Sequence, residues 1–324
     1  MNAIILTKYG NPKCLKLKQV KKPVPKPNEI CVKIYASTIT AGDCEIRRFD
    51  IHPLFWLPLR VILGIFKPRD KILGGELSGV IDGVGSKVMS FKKGQPVFAA
   101  TLLRLGAHAE FVCLPESYPI HPKPENLSFV EAATIPTGGI NGLHFLKKGN
   151  VSKGDRLLII GAGGSIGTYA LQIAKSMGAE VTAVDRAEKL EMLQRIGADH
   201  VIDYLKEDYT QNGKSYDVII DVVGKSSFSR CLKTLNRGGR YVLGNPSTIG
   251  MFHALWTSFT TDKEVFFEFA PYKKEYFEQL IDLTHANIIK PVIDRKYTLE
   301  QIPQAHQYVE TGMKNGNVVI QMAD

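Results

Sequence analysis

The chain has 324 residues, 44% hydrophobic and 23% charged, with 41 Lys and Arg against 32 Asp and Glu and a formal net charge of +9. That length accommodates about two domains of ~150 residues, each able to bury its own core, which excludes a disulfide-stapled mini-protein and a disordered chain. The basic residues are dispersed, and the densest run, 16–26, is interrupted by prolines, so the charge does not point to nucleic acid as a partner.

Short alternating segments at 4–7, 29–36, 79–84 and 96–100, separated by Pro and Gly turns, predict an irregular, mostly β domain over 1–125. The apolar run 54–66, LFWLPLRVILGIF, is broken by Pro58 and Arg60 and falls short of the ~20 residues that span a bilayer as a helix. Over 126–262 strands alternate with helices: strands at 156–160, 180–184, 216–222 and 240–243, helices at 165–177, 188–196 and 228–235. Such alternation predicts a doubly wound parallel sheet in an α/β fold. Residues 263–324 read as a helix at 272–285 and strands at 288–293 and 317–322, the last returning to the first domain. The five cysteines are scattered with no C-x-x-C pair, and the N-terminus has only a four-residue apolar run; a reducing, cytoplasmic setting is expected.

The chemistry-bearing stretch is RLLIIGAGGSIGTYALQIAKSMGAEVTAVDR. A buried strand enters a glycine turn, then an apolar-periodic helix, then a second strand ending in an acid, as a dinucleotide fold requires. Read as A-x-G-x-x-G, the turn uses Ala162, Gly164 and Gly167, with Gly163, Ser165 and Ile166 completing a backbone cradle for a pyrophosphate at the helix start. Asp185, eighteen residues after Gly167, suits the adenosine ribose hydroxyls and favours NAD(H). Arg186 and Lys189 keep NADP(H) open, because either could clamp a 2′-phosphate. Tyr204, closing the third strand, could border the adenosine. Gly224, Gly244 and Asn245 follow strand ends, where such a cleft meets its ligand.

These segments, in order with IYASTITAGDCEIRRFD, ILGGELSGVIDGVGSKVMSFKKGQPVFA, AATIPTGGINGLHFL and IGADHVIDY, resemble the zinc-independent medium-chain dehydrogenases/reductases, the quinone oxidoreductase-like branch. The resemblance implies a Rossmann domain inserted in a GroES-like catalytic domain, and a homodimer pairing through the sheet edge near 240–251. It implies hydride transfer from NAD(P)H to a small hydrophobic quinone or α,β-unsaturated carbonyl. The zinc-bearing relatives carry Gly-His-Glu where this chain has Gly74, Gly75 and Glu76, and their cysteine ligands are absent around Thr40 and Pro136, so no metal is expected and a zinc alcohol dehydrogenase is disfavoured. By the same likeness Thr40 is the candidate hydrogen-bond donor to the developing oxyanion, and Asn141 faces the nicotinamide. Phe55, Trp56 and Phe66 are expected to line the acceptor pocket, with His52 and His108 as further proton-donor candidates. The competing reading is a nucleotide sensor or RNA-binding protein that keeps the fold without turnover.

Overall fold

Alternate side chains of the strand Glu29–Ile39, namely Ile30, Val32 and Ile34, enter one apolar core with Leu77, Ile81, Val112 and Leu114 from its neighbours. The two-residue side-chain period of a strand sends the intervening residues to the other face. The structure is a computed structural model that describes residues 1–51, 53–69, 72–245, 250, 253, 254, 256, 257 and 260–322, without the side chain of Phe55. Its contacts divide the chain into one unit of Met1–Thr137, Lys273–Ile281 and Ile293–Asp324, and a second of Gly138–Tyr272 and Asp282–Val292.

The first unit carries a seven-stranded sheet in the order Ile293–Tyr297, Asn317–Gln321, Glu29–Ile39, Glu76–Val84, Pro96–Ala100, Ile120–Pro122, with Phe111–Pro115 beside the first half of Glu29–Ile39. The C-terminal strand pairs antiparallel with one from the start of the chain, Val318 opposite Ile39. A separate hairpin joins Asn2–Leu6 to Leu15–Gln19.

The second unit holds six parallel strands in the order His200–Asp203, Glu180–Asp185, Arg156–Ile160, Tyr216–Asp221, Leu235–Leu243, Glu264–Phe266. Numbered along the unit this is 3-2-1-4-5-6, the strand order of a dinucleotide-binding sheet, with its switch point between Arg156–Ile160 and Tyr216–Asp221. The strands carry helices on both faces, so their apolar runs are continuous rather than alternating; Leu157, Leu158, Ile159 and Val218, Ile219, Ile220 are all fully buried.

Several expectations change. Residues 126–137 group with the first unit, because the short helix Phe129–Ala132 packs on its sheet: Tyr35 stacks on Phe129 with ring centroids 4.6 Å apart, and Ser78 Oγ donates to the Phe129 carbonyl. The strand expected at 288–293 begins only at Ile293, since Lys290 bonds through both backbone groups to Gln172 and Pro291 has no N–H to offer a ladder. The strand Leu235–Leu243 is interior, flanked by Glu264–Phe266, so it is not the sheet edge expected near 240–251. The apolar run beginning at Leu54 folds into the helix Pro53–Leu63.

Candidate functional site

The strand Arg156–Ile160 ends at Gly161, whose φ of +81° places it in a backbone region open to glycine. A Cβ there would meet Val223 at 2.4 Å, so this turn lies directly against the turn after Tyr216–Asp221. A Cβ on Gly167 would lie 2.5 Å from Ala162 Cα, which is why the helix Ser165–Ser176 can start this close to its strand only with glycine there. Gly164 is the N-cap residue, extended at φ −86° and ψ 179°, and provides no side-chain cap. A Cβ on Gly164 would be in near-open space, 3.5 Å from its nearest neighbour. The helix therefore presents its positive end beside a glycine turn that is open at Gly164, the arrangement that suits a phosphate. These residues fit the pyrophosphate of a dinucleotide.

Asp185 closes the next strand and turns back to this cradle. Its Oδ2 accepts from Gly163 N at 2.8 Å, its Oδ1 accepts from Arg186 N at 2.9 Å, and Lys189 Nζ lies 3.1 Å from Oδ1. Asp185 is 6% exposed and Lys189 5%, so the pair is buried and charge-balanced. A Cβ on Gly163 would strike Lys189 Cδ at 2.5 Å and Asp185 Oδ2 at 2.9 Å, which ties the glycine to that pair. Tyr204 is half-exposed and donates its N–H to the Asp185 carbonyl.

At the same strand ends, Gly224 adopts φ +71° and a Cβ on it would overlap Asn245 O at 1.8 Å. Gly244 N donates to Asp221 O, while Asp221 Oδ1 accepts from Val223 N and Gly224 N. Asn141 stands on the helix Ile135–Lys148, which packs closely on the nucleotide helix: a Cβ on Gly138 would lie 3.0 Å from Ser165 O, and one on Gly142 3.2 Å from Ile166 O. The second unit thus gathers residues 161–167, Asp185, Lys189, Tyr204, Gly224, Gly244, Asn245 and the helix of Asn141 at one end of its sheet.

In the first unit Thr40 caps the helix Ala41–Arg48 through a reciprocal box: its Oγ1 accepts from Asp43 N, while its own N and Oγ1 both donate to Asp43 Oδ2, at 2.8 and 2.6 Å. Two residues earlier Thr38 donates its hydroxyl to Glu76 Oε1, and Thr137 N donates to Oε2 at 2.7 Å. Burial pushes the Glu76 carboxyl up to about 7, against the pull of those hydrogen bonds. His108 is fully buried, with Nε2 3.0 Å from Thr38 O, and burial drives its pKa down. Nothing in the residue pattern singled out Thr38 or Thr137 as partners of Glu76; the pairing of Glu29–Ile39 with Glu76–Val84 brings Thr38 there, and the first turn of the helix Ile135–Lys148 brings Thr137. Trp56 packs edge-on to Phe49 at 5.9 Å with the Arg60 guanidinium over both rings, whereas Phe66 is 92% exposed. His52 and the Phe55 side chain lie outside the described residues. Among the described residues no three His, Cys, Asp or Glu side chains gather as a metal site, and no helix is long and apolar enough to cross a membrane.

A Rossmann sheet inserted in a GroES-like domain defines a medium-chain dehydrogenase/reductase. Family models agree: residues 26–125 match the alcohol dehydrogenase GroES-like domain, 196–320 the zinc-binding dehydrogenase model, and 130–225 the alanine dehydrogenase/PNT C-terminal domain. The chain is 31% identical to the 2-methylene-furan-3-one reductase of Solanum lycopersicum over 99% of its own length and 79% of that protein's. It is 30% identical to the quinone oxidoreductase of Mus musculus, covering 99% of this chain and 97% of that one. The quinone oxidoreductase structure from Coxiella burnetii superposes with a TM-score of 0.89 at 27% identity, over 100% of this chain and 99% of that chain. The chain belongs to the quinone oxidoreductase-like branch of the medium-chain dehydrogenase/reductase family.

Proposed function

We propose that the protein is an NAD(P)H-dependent oxidoreductase that passes a hydride to a quinone or an α,β-unsaturated carbonyl compound without zinc. The observation that carries this reading is the glycine turn of residues 161–167, open at Gly164 where an uncapped helix begins, with the Asp185–Lys189 pair beside it. The names of the tomato and mouse relatives support the acceptor class. When bound, the reduced nicotinamide supplies the hydride.

The chain's own residues bind and orient. The helix N-terminus at Gly164, with Ala162, Gly163, Ser165, Ile166 and Gly167, holds the pyrophosphate. Asp185, Arg186, Lys189 and Tyr204 border the adenosine end, and Asn141, Gly224, Gly244 and Asn245 the path toward the nicotinamide. Because Lys189 balances Asp185, the carboxylate does not repel a 2′-phosphate, and both NADH and NADPH fit. Zinc does not fit: Gly75 occupies the position of the histidine ligand and carries no side chain. Thr40, whose hydroxyl hydrogen is committed to Asp43, positions its helix rather than protonating product. Five free, buried cysteines suit a reducing compartment such as the cytoplasm. A homodimer built on the second unit's sheet would use an outer strand such as Glu264–Phe266.

The test is titration of the metal-analysed protein with NADH and NADPH, then the rate of their oxidation with a quinone and with a 2-alkenal. Turnover without zinc is expected. Tight binding with no oxidation of either cofactor would replace this reading with that of a nucleotide sensor.

A further inference from the structure

We propose that Cys31 and Cys113 form an oxidisable thiol pair, a modification site that accepts a two-electron oxidant of the peroxide class and closes to a cross-strand disulfide. The two residues are exact register partners in the antiparallel ladder between Glu29–Ile39 and Phe111–Pro115. Directly opposed residues in such a ladder have Cα atoms roughly 4.5–5.5 Å apart, inside the roughly 4.4–6.8 Å that a disulfide spans. Their side chains share the face opposite the apolar core, because Ile30, Val32, Val112 and Leu114 point into that core. Glu29, Lys33, Pro115 and Phe111 flank the pair on the same face.

One layer of chain covers them. Pro23 O lies 3.9 Å from Cys31 Sγ, and Lys22 reaches over the Phe111 ring while pairing with Asp82 at 2.6 Å. This cover runs through Pro23, Pro25 and Pro27, which have no N–H; it is held at its ends, by the Lys22–Asp82 pair and by Lys87 N on Pro27 O and Lys26 N on Glu29 Oε2, and Val24 between them is 77% exposed. Lifting it is a local opening through which a small oxidant passes. The neighbouring Cys113 lowers the Cys31 pKa, whereas burial raises those of Cys14, Cys44 and Cys231. Cys31 is therefore the nucleophile of the pair.

The Cys31 sulfur attacks one peroxide oxygen, the O–O bond breaks, and a sulfenic acid and one water form, the thiol proton leaving with that water. The Cys113 sulfur then attacks the Cys31 sulfur, the S–O bond breaks, and the second water carries off the Cys113 proton. Two thiols lose two electrons and two protons in all, and the peroxide gains both.

The experiment treats the reduced full-length protein with hydrogen peroxide, blocks remaining thiols, and maps peptides by mass spectrometry without reduction. The expected result is a chain lighter by two hydrogens before blocking, a linked peptide joining Cys31 to Cys113, and its loss on adding dithiothreitol. The C14S variant keeps the link; C31S and C113S lose it. The wild-type peptide map stands even if a buried serine variant misfolds. Unlinked Cys31 carrying a sulfinic acid, a link to any other cysteine, or two intact thiols after peroxide would each overturn the proposal.

Discussion

Lys189 Nζ sits 3.1 Å from Asp185 Oδ1, both residues are buried, and the other carboxylate oxygen accepts the Gly163 N–H of the glycine turn. The acid proposed to face a ribose is thus tied to the glycine turn and paired with a buried cation.

Removing the ammonium therefore changes cofactor choice. Lys189→Ala leaves the Asp185 carboxylate without the cation beside it, and a 2′-phosphate ~4 Å away then meets roughly 1–4 kcal/mol of repulsion. The expected outcome is that NADPH affinity falls by about fivefold to several-hundredfold relative to NADH. Fluorescence titration with both cofactors measures it; an unchanged affinity ratio places the 2′-phosphate elsewhere.

Two glycines of one turn separate folding from binding. Gly167→Ala drives a Cβ to 2.5 Å from Ala162 Cα, so it loses about 1–3 kcal/mol of stability as well as cofactor. Gly164→Ala meets nothing nearer than 3.5 Å, at a φ of −86° that alanine adopts, so its fold survives while its Cβ intrudes on the cradle. Urea unfolding and NADH titration of both variants give the contrast. Full binding by the alanine variant at 164 would show that the phosphate lies elsewhere.

Thr40→Val removes the cap of the helix Ala41–Arg48, an expected loss of about 1 kcal/mol. Turnover per folded molecule stays near that of the parent, because the hydroxyl hydrogen already belongs to Asp43. A collapse of kcat with intact stability would restore Thr40 as the donor to the developing oxyanion.

Glu76 sets a pH dependence of stability. Its folded pKa, about 7, lies above the usual carboxylate value of 4.5, so between these values the folded state holds more proton than the unfolded one. Its contribution is full below about pH 4.5 and declines as pH rises toward 7, by up to about 3 kcal/mol. Glu76→Gln does not titrate, so its stability relative to the parent increases from pH 5 to pH 8 in urea melts. A constant difference across that range would mean that Glu76 is ionised throughout.

The nucleotide unit was legible because each device in it is local. The run from Arg156 to Asp185 states strand, turn, helix and strand through apolar periodicity and glycine placement. The first unit was less legible. Phe111–Pro115 and Ile120–Pro122 are short strands whose pairing partners lie far off in the sequence, so no local signal announces them. Glu264–Phe266 is three residues long and exists as a strand only because Leu235–Leu243 offers it an edge.

By itself the sequence determined the α/β class and the position of the glycine turn, since each rests on the identity of residues near one another in the chain. Only the tertiary structure decided how those residues are employed. It paired Asp185 with Lys189, occupied the Thr40 hydroxyl with Asp43, and set Cys31 against Cys113. Side-chain direction and strand register, which govern hydrogen bonds and ion pairs, arise from packing and not from composition.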